Sequence, residues 1–153
     1  MGTTVTNSVK YKTFDQHIGK SPLVDLSALL DEEARKRGVK VLTKAEFLNP
    51  GFSIKDRIIQ HIFNEAETDG ALRPGMTVVA ASSGNTGAAT AMMCAMKGYK
   101  CIITTNQKCS AEKMDSIKAY GAELVWAAPR PAPASRARVA RRARPCAALL
   151  NTR

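Results

Sequence analysis

Met76-Thr77-Val78-Val79-Ala80-Ala81-Ser82-Ser83-Gly84-Asn85-Thr86-Gly87 decides how this chain folds. Its first half is short and nearly all apolar, as a strand covered on both faces must be. Its second half is a polar loop with two glycines. The run that follows, Ala88, Ala89, Ala91, Met92, Met93, Ala95 and Met96, has no polar face and stops at Gly98. That pattern predicts a helix held between layers rather than one laid on the surface. Strand, loop and buried helix in this order are the unit of an α/β protein.

Working outward, Tyr99 to Thr105 reads as a second strand. Ser110 caps a helix that turns Met114, Ile117 and Tyr120 inward and ends at Gly121, and Glu123 to Trp126 starts another strand. Upstream, Ile18 to Leu26 is a turn leading to a short edge strand. Residues 27 to 37 read as a helix stopped by Gly38, and Val39 to Phe47 alternates as a strand. The succession from Val39 onward implies an open, mainly parallel sheet with helices on both faces. In such sheets ligands bind beyond the carboxyl ends of strands. Two polar stretches are expected at such ends, residues 49–55 and 82–87.

The first of these is Asn49-Pro50-Gly51-Phe52-Ser53-Ile54-Lys55-Asp56-Arg57. Asn, Pro and Gly form turns, and Ser53 with Asp56 three residues on resembles a capping box. Ile54, Ile58, Ile59, Ile62, Phe63 and Ala66 recur at helical spacing up to Asp69-Gly70. Lys55 thus falls in the first turn of a helix beside Arg57. The positive end of the dipole and the neighbouring cation both favour the neutral amine, which is the nucleophilic form. Read alone, the stretch favours an ordinary solvated lysine over a reactive one.

The second stretch, 82–87, offers three hydroxyls, an amide and the free backbone donors of a helix start, a setting that holds an anion. It equally suits a well-capped helix start. It has neither the GxGxxG nor the GxxxxGK[ST] spacing, so neither a dinucleotide fingerprint nor a P-loop is present. A reactive lysine and an anion loop together suggest carbonyl chemistry on a small carboxylate, with an aldehyde cofactor held as an imine. Asn85 is placed to hydrogen-bond a phenolate-type oxygen, and pyridoxal 5'-phosphate suits this layout.

The chain has 153 residues, 44% of them hydrophobic, which is enough for one domain with a core. The net charge of +10 is unevenly placed. Residues 127–153 hold seven arginines and no acid, while the other 126 residues hold 16 basic and 13 acidic side chains. The basicity therefore belongs to a tail. Of that tail, 20 of 27 residues are Ala, Pro or Arg, so disorder is expected there. Lysine and aromatics are missing from it, which argues against a nucleic-acid arm. An out-of-frame or mis-spliced reading of the gene would produce such GC-rich codon usage.

The cysteines, Cys94, Cys101, Cys109 and Cys146, form no CxxC pair, and Cys94 and Cys101 read as reduced core residues. His17 and His61 stand alone, so no metal is expected. No apolar run reaches membrane-spanning length and no secretory signal is seen, which makes the cytoplasm the expected location. The start, Met1-Gly2-Thr3-Thr4-Val5-Thr6, fits the short N-myristoylation pattern without a second anchoring signal. Residues 1–12 read as a loose terminus, 13–126 as the folded domain and 127–153 as the tail.

Several stretches in unbroken order resemble one family. IGKSPLVDL is similar to the IGxTPLVxL motif of the cysteine synthase and cystathionine β-synthase family. NPGFSIKDR resembles its NPxxSxKDR lysine motif, and SSGNTG its TSGNTG loop with Ser82 in place of threonine. KGYKCIIT and SAEKMDSIKAYGAELV also match. The resemblance covers residues 13 to 126 and implies a tryptophan synthase β-like fold, here in its N-terminal portion only. It implies Lys55 as the Schiff-base lysine and the acid/base at the substrate Cα. Asn85 would contact the cofactor ring hydroxyl, and Ser82, Ser83, Gly84 and Thr86 the substrate carboxylate. The implied reaction is β-replacement on O-acetylserine by sulfide, giving cysteine. The alternatives are a cystathionine β-synthase type of enzyme, using a thiol, and a catalytically inactive interaction module with a basic tail. A homodimer is implied for the full-length family.

The chain departs from the family pattern at Phe52, where many relatives have glycine, and at Thr105-Asn106, where Met-Pro is usual. The family's glycine-rich loop for the cofactor phosphate, and its residue facing the pyridine nitrogen, lie beyond the matched portion. A parallel sheet cut short is expected to leave an open edge and to favour oligomers or poor solubility.

Overall fold

The computed structural model describes residues 13–127 and the backbone of residues 147–150. A four-stranded sheet forms its centre, built from β3 (Thr77–Ala81), β4 (Lys100–Thr105), β5 (Glu123–Trp126) and β6 (Ala147–Leu150). The strand order is β5-β4-β3-β6 and every pairing is parallel. Val78 pairs with Cys101 and Ile103 with Leu124, so the sheet is in register across its middle. Two bonds prolong the ladder at its carboxyl end, Ser82 N–H to Thr104 O at 2.9 Å and Ala127 N–H to Thr105 O at 2.7 Å.

The connections are helical, as parallel pairing requires. Helix α3 (Asn85–Lys97) joins β3 to β4, and α4 (Ala111–Ala119) joins β4 to β5. Helix α2 (Lys55–Thr68) precedes β3 and packs on α3. Every residue of α3 from Gly87 to Cys94 is buried, because one side meets the sheet and the other meets α2. The absence of a polar face in its sequence thus has the expected cause. Gly98 ends α3 in the left-handed region at φ 76°, and the Cys94 carbonyl accepts from the Tyr99 N–H at 2.9 Å.

The core joins Val78 and Ala80 of β3, Cys101 and Ile103 of β4, Ile59 and Phe63 of α2, Met93 of α3 and Ile117 of α4. Alternate residues, Val79 and Ile102, are only half-buried on the opposite face of the sheet. Of the expected two-sided helical cover, α3 and α4 supply one side.

Three readings of the sequence change. The alternation at 39–47 gives only a three-residue strand, β2 (Leu42–Lys44), and it does not join the parallel sheet. It pairs antiparallel with β1 (Leu23–Asp25), Val24 opposite Thr43, in a separate two-stranded ribbon. The strand breaks off because Ala45 is buried and residues Glu46–Leu48 turn into a 3-10 helix. Residues 49–55 therefore do not follow a strand of the main sheet. The argument that both polar stretches end strands of one sheet holds for 82–87 alone.

The helix expected over 27–37 is split. Ser27–Leu29 is a 3-10 turn, and α1 spans Glu32–Lys36. Ser27 is drawn into local bonds, its N–H to Asp25 Oδ1 at 2.7 Å and its hydroxyl accepting from Val41 N–H at 3.1 Å. Asp31 then starts a new helix, accepting from Ala34 N–H at 2.7 Å.

The expectation of a disordered tail lies outside the described residues, apart from the short strand β6 at Ala147–Leu150. These four apolar residues run parallel to β3, with Thr77 opposite Ala147, and satisfy backbone groups on what would be an open edge. Among the described residues no helix is long and apolar enough to cross a membrane, and no three His, Cys, Asp or Glu residues are grouped to hold a metal ion.

Candidate active site

Lys55 opens α2. The turn before it is closed by Phe52 N–H donating to Asn49 O at 2.8 Å, with Pro50 at the position where its fixed φ suits a turn. Phe52 adopts φ 60°, the left-handed region, and its ring is 77% exposed. A capping box between Ser53 and Asp56 does not form. Ser53 accepts from Lys55 N–H at 3.2 Å, whereas the Asp56 carboxylate reaches back to Gly51 N–H at 2.5 Å. Asp56 is fully buried, and its Oδ1 has no hydrogen-bond partner among the described residues. Burial raises its pKa, the Gly51 N–H opposes that, and the Glu46 charge adds to it. A Cβ at Gly51 would collide with this carboxylate, so only glycine fits there.

The Lys55 side chain is half-buried, and its amine has no hydrogen bond or ion pair among the described residues. Its neighbour Arg57 is fully engaged, by contrast. Arg57 donates to both Glu46 oxygens, at 2.8 and 2.9 Å. That fork holds the Glu46 carboxyl well below its ordinary value of 4.5, at about 2, against the opposing effect of desolvation.

At the other loop, Ser82 turns its hydroxyl into the helix start. It accepts from Gly84 N–H at 3.2 Å and Gly87 N–H at 2.9 Å. A hydroxyl that has accepted twice still has its own hydrogen to donate. Gly87 is confined by this contact, since a Cβ there would lie 3.2 Å from Ser82 Cβ and 3.3 Å from Ile103 Cγ2. The N–H groups of Ser83, Asn85 and Thr86 have no acceptor among the described residues. Asn85 is exposed, and Thr86 gives only its carbonyl, to the Thr90 hydroxyl at 2.8 Å. Unengaged donors at the start of a 13-residue helix form a site for an anion.

The packing of α2 on α3 joins the two stretches into one body, with no hydrogen bond running between Lys55 and residues 82–87 among the described residues. The unpaired amine, the three free N–H groups, the Ser82 O–H and the unpaired Asn85 amide are partners that would fit the aldehyde and ring oxygen of pyridoxal phosphate and the carboxylate of an amino acid. Sequence reasoning missed Glu46. The signal lay in the spacing of Glu46 to Asn49 on one turn, which the strand assignment concealed.

Comparison with known proteins places most of the chain in one family. The family model described as "Pyridoxal-phosphate dependent enzyme" matches residues 14–152. A cysteine synthase of Staphylococcus aureus (strain Mu50 / ATCC 700699) is 44% identical over 110 residues, covering 72% of this chain and 34% of its own length. A cystathionine beta-synthase of Apis mellifera is 43% identical over 110 residues, covering 71% of this chain and 21% of its own. Among solved structures, O-ureido-L-serine synthase superposes with a TM-score of 0.69 at 36% identity, covering 76% of this chain and 35% of that one. A hydrogen sulfide-producing enzyme from Fusobacterium nucleatum gives 0.68 at 35% identity, covering 76% and 37%. The chain thus spans about a third of the cysteine synthase and about a fifth of the cystathionine beta-synthase it matches. With the family model covering most of its length and the fold shared with these solved structures, this chain belongs to the family of pyridoxal-phosphate dependent enzymes.

Proposed function

We propose that this chain carries the lysine and the carboxylate-binding loop of a cysteine synthase-type site, for β-replacement on O-acetylserine by sulfide to give cysteine. The observation that carries this reading is the Lys55 amine, half-buried at the start of α2 with no partner among the described residues. An amine with no partner among the described residues is open to an aldehyde brought to it.

When bound, pyridoxal phosphate supplies an aldehyde carbon for the amine and a ring that stabilises negative charge at the substrate Cα. The chain's own residues do the rest. Lys55 Nζ moves the proton at the substrate Cα. The N–H groups of Ser83, Asn85 and Thr86 and the Ser82 O–H hold the substrate carboxylate, and Gly84 keeps the backbone there free of a side chain. The Asn85 amide donates to the cofactor's ring oxygen. Fixed donors of this kind act without reorganising during the reaction. The partners are then a small amino acid and sulfide, in the cytoplasm, with a homodimer as the assembly of the full-length enzyme.

A second reading, a cystathionine β-synthase-type enzyme using a thiol, is supported by the near-equal identity of the two sets of relatives. Formation of cysteine from O-acetylserine and sulfide, set against a thioether from serine and a thiol, separates the two. The first test is spectroscopic. The protein with pyridoxal phosphate is expected to gain the visible band of a lysine-bound cofactor, and Lys55→Ala to lack it. No band in the parent protein overturns the enzyme reading and leaves the inactive interaction module.

A further inference from the structure

Arg57 lies two residues after Lys55, and its guanidinium does more than pair with Glu46. Its Nη2 also donates to Gly19 O at 3.0 Å and Ser21 Oγ at 3.1 Å. On the other side of the lysine, Asn49 is 1% exposed and accepts from Gly19 N–H at 2.9 Å. The Asn49 amide donates to Glu46 Oε2 at 2.7 Å and to Glu46 O at 2.9 Å. The peptide of Gly19 is therefore gripped at its N–H by the residue that opens the turn, and at its carbonyl by the residue just past the lysine. Glu46 closes the ring between them.

Gly19 has no substitute in this arrangement. Its φ is +81°, and a Cβ there would lie 2.9 Å from Arg57 Nη1. The planar fork of Arg57 fixes direction as well as distance, which a lysine at that position cannot do.

We infer that Arg57 is a positioning residue, which with Glu46 and Asn49 clamps both ends of the 49–57 turn onto Gly19 and so sets the direction in which the Lys55 amine is offered. This rests on Lys55 being the reactive amine. A purely structural role for Arg57, as support of the helix start, predicts a different result: stability would fall and Lys55 would react as before.

The test uses the full chain with pyridoxal phosphate and cyanoborohydride, following the labelling rate of each lysine by peptide mass spectrometry. Exposed Lys118 on α4 serves as the internal reference. Hydrogen exchange of the peptide covering residues 49–55 is read in parallel. Arg57→Lys is expected to slow labelling at Lys55 about tenfold relative to Lys118, the scale of a misplaced reactive group. It should also raise exchange in 49–55 at unchanged helix content. The near-isosteric Glu46→Gln should behave alike, and adding Arg57→Gln to it should add little. If Arg57→Lys and Glu46→Gln both label Lys55 at the parental rate, the inference is overturned while the function reading stands. If the parent labels Lys55 no faster than Lys118, the function reading fails and the inference falls with it.

Discussion

Phe52 is the residue most at odds with its backbone. A β-carbon at φ 60° costs about 1 kcal/mol or more relative to glycine, and the exposed ring gains little packing in return. Phe52→Gly should raise the melting temperature by a few degrees, since the strain relieved exceeds the ~0.5 kcal/mol of unfolded-state entropy that glycine adds. Thermal unfolding followed by circular dichroism checks this, and a lower melting temperature would mean that the ring is held by contacts worth more than the strain. At this scale the sequence was most legible where chemistry is local. Lys55, Ser82 and Asn85 are singled out by residue type and position alone. The partners of Asp56 and Asn49 were not, because Asp56 bonds a residue five positions back and Asn49 one thirty positions away.

Elements were legible where burial, not propensity, decides them. Helix α3 and strands β3 and β4 were read correctly because each carries an apolar run that is withdrawn from solvent, Gly87 to Cys94 in the helix and Val78, Ala80, Cys101 and Ile103 on one face of the sheet. The stretch 39–47 was misread because its alternation stands on the surface: Val39, Val41 and Leu42 are all exposed. What ends β2 is a set of tertiary bonds to Glu46, which no periodicity records. Those bonds also predict a pH dependence. The Glu46 carboxyl is depressed from 4.5 to about 2, chiefly by the Arg57 fork. Its contribution to stability is complete above pH 4.5 and is lost as pH falls toward 2. In an acid titration of stability, Glu46→Gln should flatten the limb between pH 4.5 and 2 relative to the parent. Parallel acid limbs in the two proteins would contradict this.

At the scale of the whole molecule, much apolar surface remains open. Leu23, Leu42, Phe47, Leu48, Ile54 and Trp126 are all exposed, Ile54 although its helical spacing with Ile58 and Ile62 groups it with the apolar residues of α2. Apolar exposure on this scale marks surfaces that another chain or segment covers. The protein is expected to self-associate, and multi-angle light scattering should give a mass well above 16.5 kDa, whereas a monodisperse monomer would contradict this. The fold itself was legible at this scale from the order of apolar runs. The pairing of β6 on the edge of β3 was not, because an arginine-rich composition hides a four-residue apolar strand.

The account turns on Lys55 being the amine that holds the cofactor. Incubation of the protein with pyridoxal phosphate, reduction with borohydride and peptide mapping tests this directly. The adduct is expected on the peptide containing Lys55, at one equivalent per chain, with the other lysines nearly unmodified. An adduct spread evenly over the exposed lysines, with Lys55 no different from Lys118, would contradict it.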